Sequence, residues 1–155
     1  MELTELASPE GVIPNLKATS KKQLLQELAQ RAGSLYGAEP RALFDALLER
    51  ERLGSTGMGR GVAIPHCRMA GVERMCALFA RLETPVEFEA VDGEPVDLVF
   101  LLIAPEACGS DHLKALARVS RAMRDEDLLT KLRGAKEASA LYALLAEPDG
   151  RSRAA

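Results

Sequence analysis

A nearly continuous apolar stretch from Val96 to Ala104 constrains the fold of this chain more than any other feature. The stretch has the length of a β-strand. A strand without alternating polar residues is typical of the middle of a sheet, where both faces are covered. Its uninterrupted part, Leu98 to Ala104, is far too short to span a bilayer. We therefore predict a central strand here and no direct insertion into a membrane.

Segments with helical periodicity lie on both sides of this strand. Apolar residues recur there at intervals of three and four, and two shorter apolar runs have strand length. The predicted elements are a short strand or extended lead-in at 11–14, helices at 21–35 and from 40 to about 54, strands at 62–64, 75–82 and 96–104, a helix from 110 or 111, and shorter helices near 126–132 and 136–146. This order predicts an α/β fold, a single domain with a mixed β-sheet sandwiched between α-helices. We expect that domain to span residues 1–147, with 148–155 as a mobile C-terminal tail.

Charge and cysteine content exclude several classes of protein. The net charge of −3 argues against nucleic-acid binding, which usually requires a basic domain. Three cysteines without C-x-x-C spacing indicate neither a disulfide framework nor a zinc knuckle, and they favour a reducing compartment. The amino terminus is acidic where a signal peptide carries positive charge. We therefore expect a cytoplasmic protein.

The two histidines of the chain are each predicted at the end of an element. His66 follows a glycine-rich segment and a short strand that ends at Pro65. His112 lies in the first turn of a helix, where free backbone N–H groups favour an anion. Both side chains are expected to reach solvent from a rigid support, with an anion between them if the two ends meet. A structural role for His112 is the alternative, and a zinc site of both histidines with Cys67 and Cys108 matches no known spacing.

Positive charge is concentrated near His66. Between residues 50 and 68 four arginines accompany one acid, Glu51, within a chain of net charge −3. Any single arginine could be a solvated partner of Asp45 or Glu49, but together with the glycines they favour anion handling. The glycine-rich segment is not a nucleotide-binding P-loop, because it lacks the required lysine and Ser/Thr and follows a helix. The four arginines are Arg50, Arg52, Arg60 and Arg68.

The string R-E-R-L-G-S-T-G-M-G-R-G-V-A-I-P-H at residues 50–66 resembles the active-site segment of a known family. That family is the enzyme IIA domains of the bacterial phosphotransferase system, fructose/mannitol class, and the nearest similarity is to its nitrogen-regulatory members. The resemblance extends from the first helix to near residue 146 and includes L-E-T-P-V at 82–86, E-P-V-D-L at 94–98 and D-H-L at 111–113. It implies a three-layer fold of the phosphotransferase IIA type.

The resemblance also implies roles for particular residues. His66 would accept the phosphoryl group, His112 would be the second active-site histidine, and Arg50 would stabilise the phosphoryl group. Cys67 departs from the family, which commonly has glycine after the phosphorylated histidine. No cofactor and no metal are implied. The implied phosphate loop and docking surface consist of Gly54, Ser55, Thr56, Gly57, Met58, Gly59, Arg60, Pro65, Cys67 and Arg68.

Imidazole suits this chemistry, because it is largely neutral and nucleophilic near pH 7 and its phosphoramidate can pass the group on. The leading hypothesis is a regulatory phosphocarrier that accepts a phosphoryl group from an HPr-like phosphocarrier and acts on regulatory protein targets according to its phosphorylation state. The alternative is a IIA component of a fructose/mannitol-type sugar permease with a IIB domain as acceptor. The G-S-T-G-x-G-x-G pattern and the lack of a fused IIB or membrane segment favour the first. An inert binding module is disfavoured by the presence of both histidines and Arg50. Either active role is that of a phosphohistidine carrier and not of a stand-alone turnover enzyme.

Overall fold

Residues 2–147 are described by the computed structural model, so the predicted C-terminal tail lies outside the described residues. Helices and strands follow in the order α1 (Leu3–Leu6), a 3₁₀ turn (Pro9–Gly11), β1 (Val12–Leu16), α2 (Lys21–Tyr36), α3 (Pro40–Arg52), β2 (Gly57–Gly59), β3 (Val62–Ala63), β4 (His66–Met69), β5 (Cys76–Val86), β6 (Val96–Pro105), α4 (Asp111–Ala122), α5 (Glu126–Gly134) and α6 (Ala138–Ala146).

The strands form one mixed sheet in the order β1-β5-β6-β3-β2, with β4 also paired to β6. Strand β5 is antiparallel to β6, whereas β1 is parallel to β5, and β3 and β4 are parallel to β6. The apolar stretch from Val96 therefore is the central strand, as predicted. Its side chains alternate between two cores, which explains why almost no polar residue is tolerated in it.

Helices cover both faces of the sheet. Helices α2 and α3 enclose a core that receives Val99, Leu101 and Ile103 from β6. The helices α1, α4, α5 and α6 enclose a second core, which receives Leu98, Phe100 and Leu102. The predicted α/β fold with a mixed sheet between helical layers is confirmed. None of the helices in residues 2–147 is long and apolar enough to cross a membrane.

Pro65 does not end the sheet, and this corrects the prediction that His66 lies beyond a strand. Proline lacks a backbone N–H, but at this position the sheet uses its carbonyl oxygen, which accepts a hydrogen bond from the backbone N–H of Leu102 at 3.0 Å. Pairing with β6 then resumes, and His66 is the first residue of β4. The histidine therefore lies within the sheet scaffold.

The other differences between the predicted and the observed secondary structure concern short elements. No element was predicted between residues 54 and 62, but Gly57–Gly59 pairs antiparallel with β3 as β2. Neither α1 nor the 3₁₀ turn was predicted. Ser20 caps α2 by accepting a hydrogen bond from the backbone N–H of Gln23 at 3.1 Å, whereas Ser110 precedes α4 without a side-chain cap.

Candidate functional site

Strand β4 supplies two polar side chains on one face of the sheet. Side chains alternate along a strand, so His66 and Arg68 point to one side and Cys67 and Met69 to the other. Cys67 and Met69 are buried in the core beneath α2 and α3. His66 and Arg68 instead meet His112, the second residue of α4. The β-strand thus fixes where a nucleophile and a cation stand relative to the start of α4.

The two histidines meet as an edge-to-face pair. Their ring centroids are 5.7 Å apart and their planes are inclined by 65°. His66 is half-buried, but His112 is only 7% exposed. The expectation that both side chains reach solvent is therefore wrong for His112, because α4 packs that residue against the sheet. The two element ends do meet, which was the condition stated for an anion to fit between the histidines.

One hydrogen bond sets the tautomer of His66. Its Nδ1 lies 2.8 Å from the carbonyl oxygen of Ile64. A carbonyl can only accept, so Nδ1 carries the proton and Nε2 keeps its lone pair. Burial lowers the pKa of His66, the bond to Ile64 opposes this in part, and the nearby charge of Arg50 lowers it further. The ring is therefore neutral near pH 7, with Nε2 as the nucleophilic atom.

His112 has the opposite tautomer. Arg68 donates from Nε to its Nδ1 at 3.1 Å, so the proton of the neutral ring is on Nε2. Burial lowers the pKa of His112, and its neighbours His66 and Arg68 lower it further. Within residues 2–147 its Nε2 is buried without a hydrogen-bond partner. An unpaired buried donor costs roughly 1–3 kcal/mol, which an incoming acceptor would recover.

An open cleft of about 360 Å³ has His66 in its wall. Arg50 enters it from the end of α3, where its Nη1 donates to the carbonyl of Gly54 at 2.9 Å. The cleft thus combines a cation with a neutral nucleophile. Four residues that were not predicted as part of the site also line the cleft: Val91, Leu116, Ser120 and Arg124. The last three follow His112 at intervals of four, a spacing that could have identified them.

The glycine-rich segment is held in place by a buried carboxylate. Glu51 accepts hydrogen bonds from the backbone N–H of Thr56 at 3.0 Å and from the Thr56 hydroxyl, and it pairs with Lys21 at 3.0 Å. Ser55 donates to the carbonyl of Phe88 at 2.8 Å. At Gly57 an added Cβ would lie 2.9 Å from the Cβ of Ala90, so the close approach requires glycine. The segment is a fixed wall of the cleft.

Several predicted site residues lie elsewhere. Arg60, at a φ of 59°, donates its backbone N–H to Asp92 at 2.8 Å, and its guanidinium pairs with Glu126. It therefore belongs to the support of the β2–β3 turn and does not line the cleft. Cys67 is buried in the core beneath α2 and α3, where burial raises the pKa of its thiol to about 12, so it offers no docking contact.

Of the remaining predicted residues, some line the cleft and others belong to the structure around it. Ser55, Thr56, Gly57 and Met58 line the cleft, whereas Gly54 contributes the carbonyl that holds Arg50. Gly59 and Pro65 are buried parts of the scaffold. Arg52 pairs with Glu49 at 2.8 Å, as the alternative for single arginines expected. Among residues 2–147 no three histidine, cysteine or carboxylate side chains are grouped as metal ligands.

Similarity to known proteins agrees with this architecture. Residues 5–147 match the family model described as "Phosphoenolpyruvate-dependent sugar phosphotransferase system, EIIA 2", so the chain belongs to this family. A nitrogen regulatory protein of Bradyrhizobium diazoefficiens is 55% identical over 148 residues, which cover 96% of this chain and 97% of that protein.

Two solved structures resemble the chain. The crystal structure of nitrogen regulatory protein IIA-Ntr from Neisseria meningitidis has a TM-score of 0.87 at 34% identity and covers 92% of this chain and 98% of that one. Enzyme IIA mannitol of Escherichia coli, solved in complex with phosphorylated enzyme IIB mannitol, has a TM-score of 0.74 at 21% identity over 88% of this chain and 94% of its own, which shows a shared fold. The family resemblance is confirmed, and the relatives fit the regulatory hypothesis better than the sugar-permease alternative.

Proposed function

We propose that the protein carries a phosphoryl group on Nε2 of His66, accepts it from an HPr-like phosphocarrier and regulates other proteins according to its phosphorylation state. One observation carries this proposal. A half-buried imidazole with a free Nε2 lies beside a second imidazole whose buried Nε2–H has no partner in the described part of the chain. A nucleophile and an unused donor are what a phosphoryl acceptor site requires.

The transfer step follows from these positions. The lone pair of His66 Nε2 forms the new bond to phosphorus, and the bond to the donor breaks with its electron pair leaving on the donor. The Nδ1–H stays bonded to the carbonyl of Ile64, which stabilises the positive charge that the ring acquires. Phosphoryl transfer needs mainly in-line positioning and stabilisation of the equatorial oxygens. Arg50 and the Nε2–H of His112 are the groups that would supply it.

The surface around the cleft suits a protein donor. In residues 2–147 the large hydrophobic side chains that are exposed are Leu53, Val91 and Leu113, which are 82%, 82% and 64% exposed. Val91 lines the cleft, Leu53 follows the helix that carries Arg50, and Leu113 follows His112. We call these three residues the apolar rim. A protein donor that covers these side chains would remove their apolar surface from water, and this supports an HPr-like carrier as donor.

The identity of the acceptor distinguishes the two active roles. Similarity to nitrogen regulatory proteins along nearly the whole chain supports regulatory protein targets. The IIA mannitol relative, solved with a phosphorylated IIB protein, illustrates the alternative acceptor. We propose the regulatory role, in which the phosphoryl group changes which proteins bind at the apolar rim.

The proposal is tested by replacing the acceptor. His66→Ala should abolish phosphorylation by a phosphorylated HPr-like carrier without unfolding the protein, because His66 is half-buried at the edge of the cleft. Arg52→Ala, outside the cleft, is the control and should accept normally. The phosphorylated wild type should lose its group in acid and keep it in alkali, as a phosphoramidate does. Acceptance by His66→Ala at the wild-type rate would refute the proposal.

A further inference from the structure

Arg68 connects strand β4 to the start of helix α4 by a hydrogen bond to His112. Its guanidinium donates from Nε to Nδ1 of His112 at 3.1 Å and from Nη2 to the carbonyl of Gly109 at 2.9 Å. It stands two residues after His66 on the same face of β4, while His112 and Gly109 belong to the start of α4 and the loop before it. We propose that Arg68 is a positioning residue that holds His112 as the neutral Nε2–H tautomer, with that N–H kept as the donor for the phosphoryl group.

A guanidinium restricts the protonation of a ring nitrogen to which it donates a hydrogen bond. Arginine stays charged and has donors only, so a ring nitrogen bonded to it must be an acceptor. Nδ1 of His112 therefore carries no proton, and the single proton of the neutral ring is placed on Nε2. A protonated ring would lose the bond and bring two cations together. Two alternative states of His112, the Nδ1–H tautomer and the imidazolium, are thus disfavoured by one side chain.

The surroundings of His112 Nε2 indicate what this tautomer is for. Within residues 2–147 its Nε2 is buried and makes no hydrogen bond, although the ring lies against His66. A buried donor without a partner is rare, because it costs free energy in the resting protein. Its retention is explained if the N–H is reserved for an oxygen of the group carried by His66. The role of Arg68 in transfer rests on the proposed function, whereas its control of the tautomer does not.

A competing explanation is that Arg68 only ties the loop at Gly109 to β4. A purely structural tie would affect stability but not the protonation of His112. Arg68 itself is exposed, so its replacement is compatible with folding. Arg68→Met keeps the length of the aliphatic stem and removes every donor. Arg52→Met is the matched control, because Arg52 is an exposed arginine that pairs with Glu49 and not with a histidine.

The first test needs no phosphoryl donor. Long-range ¹H–¹⁵N NMR on the unphosphorylated full chain reports which ring nitrogen carries a proton. In the wild type and in Arg52→Met, Nδ1 of His112 should be an unprotonated acceptor. In Arg68→Met, part of the population should carry a proton on Nδ1, as the second tautomer or as imidazolium. Ring-nitrogen signals of His112 that are unchanged in Arg68→Met would overturn the proposal, whether or not His66 accepts a phosphoryl group.

The second test asks whether Arg68 acts through His112. Phosphoryl acceptance from a phosphorylated HPr-like carrier should be about 5- to 100-fold slower in Arg68→Met, the loss expected when one hydrogen-bond donor is no longer in place. In a His112→Ala background the same substitution should change the rate by less than about twofold, because the residue it positions is already gone. Equal losses in both backgrounds would show that Arg68 acts on its own and would overturn its role as a positioning residue.

Discussion

At the scale of single residues, the two imidazoles of the site are made different by their partners. The carbonyl of Ile64 accepts a hydrogen bond from Nδ1 of His66, whereas the guanidinium of Arg68 donates one to Nδ1 of His112. Acceptor and donor impose opposite tautomers, so one ring presents a lone pair and the other an N–H. This division suits one histidine as nucleophile and the other as stabiliser of charge.

The two groups that are proposed to stabilise the phosphoryl group should affect the rate of acceptance and leave the acceptor intact. His112→Ala removes the Nε2–H and Arg50→Ala removes the cation in the cleft. Each should slow phosphoryl acceptance by about 10²–10³-fold, as the loss of an oxyanion-hole donor does. Rapid-quench kinetics would measure both, with Arg52→Ala as control. Rates equal to wild type in both variants would assign His112 and Arg50 a structural role.

The pH dependence follows from the pKa of His66. Its pKa is lowered from the ordinary value of 6.5, chiefly by burial, so the ring becomes protonated at a lower pH than a free imidazole does. Protonation would occupy Nε2 and block attack, so the acceptor should remain active as pH falls until pH passes this lowered pKa. An NMR titration of His66, with initial rates measured in parallel, checks the sign. A titration midpoint above 6.5 would contradict the account.

At the scale of elements, the site is held in place by strand pairing and by buried hydrogen bonds. Strand β4 fixes His66 and Arg68 by pairing with β6, and Glu51 of α3 fixes the glycine-rich segment through Thr56. Glycine permits close packing in this segment, as at Gly57. The wall of the cleft should therefore be preformed.

Thr56→Val tests this support. The variant keeps the shape of the side chain and removes the hydroxyl that bonds buried Glu51. We expect a loss of about 1–3 kcal/mol in the free energy of unfolding, measured by urea denaturation. Thr130→Val, which removes an exposed hydroxyl bonded to the Glu126 carbonyl, is the control and should change stability by less than about 0.5 kcal/mol. Equal values for the two variants would contradict the buried network.

These elements show which parts of the fold and of the site could be predicted from the sequence. Long periodic segments such as α2, and the apolar strand β6, were predicted because their packing repeats along the chain. Strand β2 was missed because three residues carry no period and its glycines suggest a loop. Pro65 was wrongly predicted to end the pairing, because the sequence shows that its backbone N–H is missing but not which backbone group the sheet uses. The bond from Arg68 to His112 joins residues 44 apart in sequence, and no local pattern encodes it.

At the scale of the whole molecule, the site lies where three elements meet at one edge of the sheet. The end of α3 carries Arg50, the start of β4 carries His66 and the start of α4 carries His112. The apolar rim lies beside these elements: Leu53 follows α3, Leu113 follows His112 and Val91 lines the cleft. A charge placed on His66 is therefore placed beside the surface that a partner is proposed to cover.

Phosphorylation should act as a docking switch at this surface. The phosphoryl group adds roughly −1.5 to −2 charges and engages Arg50, so partners that use Arg50 lose a contact. Regulatory partners should bind the unphosphorylated form about 5- to 150-fold more tightly, which corresponds to about 1–3 kcal/mol. Calorimetry on a partner isolated by affinity capture would measure both forms, and His66→Ala should not respond to the phosphoryl donor. Equal affinities would leave His66 as a relay only.

The position of the phosphoryl group is the most direct test of the central claim. ³¹P and ¹⁵N NMR on the wild-type protein, phosphorylated by an HPr-like carrier, identifies the nitrogen that is bonded to phosphorus. The account predicts phosphorus on Nε2 of His66, because Nδ1 is bonded to the carbonyl of Ile64, and an unmodified His112. Phosphorus on His112, on Nδ1 of His66 or on a hydroxyl group would contradict it.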